Sequence, residues 1–159
     1  MDQQLYLALK ALHMLGVVMF VGNILVGFWW KLMADRNGQP AVVAFAQQQI
    51  KKTDFVFTTL GIALMLAGGI PASQMLINAG ETNLAWLGWG VGLLIASGIV
   101  WGAVMLPVQA KQAKIIAAHA DAQYLPAEYF RLSKLWLASG VVAKLLVLFS
   151  IYWMVFKPY

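Results

Sequence analysis

Residues 5–33 read LYLALKALHMLGVVMFVGNILVGFWWKLM. Only Lys10 and Lys31, near its two ends, carry a full charge at neutral pH. A hydrocarbon core of about 30 Å needs about 20 mostly apolar residues in helical form, and this run is longer than that. Three further runs meet the same requirement, at about 55–77, 84–108 and 135–156. Backbone groups in hydrocarbon must be satisfied within the segment, which selects helices. The expected fold class is therefore all-α: one integral membrane domain over 1–159, built as a bundle of four transmembrane helices. Residues 34–54 and 109–134 are expected to connect them on the cytoplasmic side.

Composition agrees. Hydrophobic residues make up 62% and charged residues 11%, where a soluble domain carries about a quarter charged. The absence of cysteine excludes disulfides, thiolate metal sites and cysteine nucleophiles. The net charge of +5 does not point to nucleic acid, because the basic residues sit at the ends of apolar runs. Lys31, Arg36, Lys51 and Lys52 flank the first connection, and Lys111, Lys114, Arg131 and Lys134 flank the third. The short second connection has only Glu81. The positive-inside rule then puts both termini on the periplasmic side of a bacterial inner membrane. Trp29, Trp30, Trp86, Trp89, Tyr152 and Trp153 read as an aromatic belt. Met1-Asp2-Gln3-Gln4 lacks the basic region of a cleavable signal.

The first connection opens on a turn signal, Asp35-Arg36-Asn37-Gly38, followed by a short helix over 41–52. The third is expected to carry helix three beyond the bilayer and to break near Leu125-Pro126.

The informative residues are those that cost energy where they stand. Lys144 lies between Val141-Val142-Ala143 and Leu145-Leu146-Val147. The six acids, Asp2, Asp35, Asp54, Glu81, Asp121 and Glu128, all read as helix ends or connections. Lys144 is thus left without a carboxylate at its own depth. It must be a neutral amine, line a wet crevice, or meet an anion or metal from outside the chain. His13 is the second such residue, about two turns into helix one. It either bonds a neighbouring helix, carries protons, or ligates a metal or a haem iron. His119 falls on the opposite side of the membrane, so bis-histidine ligation within one chain is unavailable. His13 and Lys144 have similar expected depths, compatible with one site between helices one and four.

Two stripes recur at spacings of three and four. Helix one carries Tyr6, Lys10, His13, Gly16, Phe20, Asn23 and Gly27 on one face, and helix two carries Asp54, Thr58, Gly61, Met65 and Gly68. Both should face the bundle interior. Helix three has Gly88, Gly92, Gly98 and Gly102, a small-xxx-small pattern suited to close packing.

Leu9-Lys10-Ala11-Leu12-His13-Met14-Leu15-Gly16-Val17-Val18 resembles the opening helix of HemJ-type protoporphyrinogen oxidases and of CopD-like copper-resistance proteins. Phe57-Thr58-Thr59-Leu60-Gly61 resembles the HemJ-type second-helix segment, with Leu60 in place of its proline. Trp86-Leu87 through Trp101, with the ending Tyr152-Trp153-Met154-Val155-Phe156-Lys157-Pro158, is closer to a sister family of predicted bacterial integral membrane proteins without assigned function. The HemJ resemblance implies haem b on His13, the one candidate metal ligand. Gly90 stands where the HemJ type has its helix-three lysine. Lys144 then serves as opposite ligand or propionate partner, Lys10 as a second propionate partner, and Asn23 and Thr58 complete the cofactor-binding candidates. This gives a haem-binding, redox-type protein, an oxidoreductase if it is an enzyme. The CopD resemblance implies copper or small-anion transport, with Met14, Met19, Met65 and His13 as a copper path. A third reading is an accessory subunit that packs through its glycine faces on a second copy or a membrane partner.

Overall fold

The computed structural model describes residues 2–158. All its regular structure is helical, and four helices are long and apolar enough to cross a membrane. They are α1 (Gln3–Asn37), α2 (Pro40–Asn78), α3 (Ala85–Ala118) and α4 (Ala127–Phe156). The expected fold class holds. Large side chains such as Val18, Phe55, Ile99 and Phe149 are exposed, as a chain solvated by lipid requires.

The helices run beyond the apolar runs. Residues 34–54, expected as a connection with a short helix, are helical except at Gly38 and Gln39. Gly38 takes φ +74, which only glycine adopts freely, and Pro40 starts α2 where a missing N–H costs nothing. Asp54, expected at a helix end, lies inside α2. That helix closes with Gly80 at φ +86. Glu81 N–H donates to the Leu76 carbonyl and Gly80 N–H to the Ile77 carbonyl, the paired bonds of a Schellman cap. α3 ends at Ala118, and α4 starts directly after Pro126.

The chain divides into two compact units. One comprises the chain up to Gly27 together with Gln49–Asn83. In it α1 and α2 pack antiparallel, and their two small-residue stripes mate. Gly27 faces Ile50, and Gly61 faces Phe20 and Gly16. A Cβ on Gly16 would stand 2.5 Å from both the Gly61 carbonyl and the Met65 backbone nitrogen. One on Gly68 would collide with the backbone of Leu9 and His13. The helices therefore touch backbone to backbone, which only glycine permits.

The other unit comprises Phe28–Gln48 and the chain from Leu84 onward. Its α4 buries Tyr129, Ser133, Trp136, Gly140, Ala143, Val147 and Ser150, an unbroken 4-3 alternation. α3 buries Trp86, Gly90 and Ser97, then Met105, Val108, Gln112 and Ile116. From Gly90 to Ser97 is seven residues, but from Ser97 to Met105 is eight. The extra residue is absorbed in a widened turn at Trp101–Met105, where Leu106 N–H donates to the Trp101 carbonyl, the i→i+5 pattern of a π-bulge. Pro107 follows at once. It cannot donate to the Ala103 carbonyl, and its ring presses on it, so the turn opens and the buried face rotates. Ser97 Oγ donates to the Ala143 carbonyl at 3.0 Å and Ser150 Oγ to the Gly90 carbonyl at 2.7 Å, tying α3 to α4.

Candidate functional site

His13 stands on the α1–α2 contact. Its Nδ1 is 2.9 Å from the Met65 carbonyl oxygen. A carbonyl only accepts, so Nδ1 carries the hydrogen, and in the neutral ring Nε2 keeps its lone pair. The ring reaches that carbonyl because α2 has no side chain at Gly69, where a Cβ would stand 2.6 Å from Nδ1. Metal-binding histidines are oriented in this way, with the second nitrogen held by a carbonyl or carboxylate.

About three turns further along α1, Asn23 Nδ2 donates to Asp54 Oδ1 at 2.8 Å and to Thr58 Oγ1 at 3.0 Å. Both amide hydrogens of Asn23 are therefore committed to the helix contact. A widened turn at Asp54–Thr58 carries both partners. Lys10 is exposed, one turn from His13 toward the start of α1.

Lys144 belongs to the other unit. Its Nζ lies over the Phe28 ring, 3.5 Å from the centroid. Gly140 makes room for it: a Cβ there would stand 3.2 Å from Nζ. His119 lies just beyond α3, and its Nδ1 donates to the Ile115 carbonyl at 2.8 Å, finishing that helix.

The second unit also holds a polar cluster whose residues look in the sequence like flanking charge and a turn. Lys31 is 1% exposed. Its Nζ donates to Asp35 Oδ1 and Oδ2 at 2.7 and 2.6 Å, to Tyr129 Oη at 2.8 Å and to Ser133 Oγ at 2.9 Å. Tyr129 Oη donates to Asp35 Oδ1 at 2.6 Å, and Ser133 Oγ donates to Asp35 Oδ2. The pair is neutral overall, and every polar atom in it has a partner. The signal in the sequence was Lys31 and Asp35 at i and i+4, which share a helix face. Nearby elements add Gln47 Nε2 donating to Gln112 Oε1 at 3.3 Å, both side chains buried.

The geometry is that of a membrane helix protein with a tautomer-fixed histidine in one unit and a closed ion-pair cluster in the other. A family model described as "Predicted integral membrane protein (DUF2269)" matches residues 7–158. The chain belongs to that family. No curated protein and no solved structure matches the chain.

In this DUF2269 member, no three histidine, aspartate or glutamate side chains converge among the described residues. The methionines expected to form a copper path are dispersed: Met14 is exposed on α1, whereas Met65 is buried against Gly16.

Proposed function

We propose that this membrane protein holds haem b through His13 and works in electron transfer or oxidation. The observation that supports it is the fixed tautomer. The Met65 carbonyl holds Nδ1–H, so Nε2 is the free nitrogen that would be available to a haem iron. The residues present fit the group on this count. His13 would bind the iron and the exposed Lys10 would meet a propionate. A bound haem would supply one-electron chemistry at its iron. The resemblance of the first helix to HemJ-type proteins adds weight, and the distribution of Lys and Arg favours a bacterial inner membrane with both termini periplasmic. Protein made under haem-replete conditions is expected to show a Soret band that His13→Ala removes. Colourless wild-type protein, or an unchanged spectrum in the variant, would sink the reading.

A second feature favours self-association or a membrane partner subunit. Cβ atoms placed on Gly88, Gly92, Gly98 or Gly102 of α3 would meet nothing within 4 Å. A stripe of small residues in lipid suits close approach of another helix. The chain has no cysteine, so Gly98→Cys gives a clean reporter. A disulfide-linked dimer is expected on mild oxidation in membranes. A monomer at every oxidant concentration, with no partner copurified, contradicts association through this face.

A further inference from the structure

Lys144 is placed as a hydrogen-bond donor without an acceptor. It lies mid-way along an apolar stretch of α4, with Ala143 and Val147 buried on one side and Val141, Leu145 and Leu148 exposed on the other. The side chain itself is half-buried, on the border between protein and lipid. Among the described residues Nζ has no hydrogen bond and no ion pair, only the Phe28 ring beneath it. The position is nevertheless built. Gly140 leaves the hollow open, and a Cβ there would meet Nζ, Met105 Cε and Phe28 Cδ2 between 3.2 and 3.4 Å. Trp136 also stacks on the Phe28 ring, 6.2 Å between centroids. The fold thus parks an amine at mid-bilayer depth and leaves its N–H groups free.

An acceptor for those groups must be lipid-soluble and stable near the bilayer centre. Water-soluble anions fail the first condition. Lipid phosphates and carboxylates stay at the interface, because burying their charge is costly. A neutral molecule with strong carbonyl acceptors on a long apolar tail meets both. We propose that Lys144 binds the head group of a membrane quinone, donating to one ring carbonyl from the lipid side of α4. Phe28 holds the amine in place. The proposal goes beyond the haem reading and does not rest on it: His13 and Lys144 fall in different units.

The test uses the full-length protein in detergent. It is titrated with a short-chain ubiquinone analogue and followed by calorimetry, and quinone carried through purification is extracted and measured. Wild type is expected to bind, and Lys144→Met to lose about threefold to tenfold in affinity, the span of one hydrogen bond from a neutral amine donor. Lys144→Met removes a polar group from hydrocarbon, so its thermal midpoint should not fall. A loss of binding is then not a loss of fold. No binding by wild type overturns the proposal without reference to any variant. Affinity in Lys144→Met within about twofold of wild type overturns it too, as does copurified fatty acid in place of quinone. The Soret measurement reads His13 and this titration reads Lys144, so either can fail alone.

Discussion

Asp35→Ala is expected to destabilise the protein by about 3–5 kcal/mol, the cost of leaving a buried charge without its partner. Lys31 is 1% exposed and all its acceptors lie within the cluster. Without Asp35 the ammonium keeps two hydroxyls and loses its counter-charge. Tyr129 and Ser133 lose their acceptor in the same step. Unfolding in detergent by denaturant or heat measures the effect. The double variant Lys31→Met with Asp35→Leu should recover most of it, because an apolar pair of similar volume is tolerated where a lone charge is not. A double variant as unstable as Asp35→Ala would mean that packing, and not charge, dominates at this point.

The second large effect is expected at Gly68. Its missing side chain lets α2 rest on the backbone of Leu9 and His13. Backbone cannot rotate away as a side-chain tip can, so Gly68→Ala forces the helices apart and should cost about 1–3 kcal/mol. Gly16→Ala should behave alike, with the Gly61 carbonyl and the Met65 nitrogen each 2.5 Å from the new carbon. Gly22→Ala is the control: nothing lies within 4 Å, and a change within about 0.5 kcal/mol is expected. Equal effects at Gly68 and Gly22 would show that glycine acts through helix propensity and not through the contact. Gly68→Ala should also weaken any haem absorbance, since the displaced helix carries the Met65 carbonyl away from His13.

These two sites differ in how far the sequence announced them. The α1–α2 contact was legible. Small and polar residues at three-and-four spacing stand out against leucine and valine, and a membrane helix has no other use for such a face. His13, Asn23 and Thr58 belong to it as expected, and Asn23 bonds Thr58 across the two helices. The Lys31 cluster was not legible. A lysine at the end of an apolar run has the same appearance whether it anchors the helix in water or is buried. Asp35 was absorbed into a turn signal whose real break is Gly38. Tyr129 and Ser133 lie 98 and 102 residues away from Lys31, a pairing no local pattern encodes. The helices continue past the apolar runs, as the short helix over 41–52 and the extension of helix three led one to expect, but what they pack against there was hidden. Hydropathy marks where lipid ends, but Val43, Ala46, Ile116 and Leu125 pack on one another where the sequence turns polar. The shift of the buried face at Pro107 is a one-residue slip in period, visible only once the partner helix is known.

The Lys31–Asp35 pair also bears on how the chain enters the bilayer. Both residues belong to α1, one turn apart, so this pair can form while the first helix is still alone. The helix can enter the bilayer with that lysine already neutralised, its ion pair still wetted at one end. The hydroxyls of Tyr129 and Ser133 are synthesised only with the last helix. When α4 arrives, they take the places water held around the carboxylate. Assembly thus replaces solvent with side chains around a pair that α1 already holds.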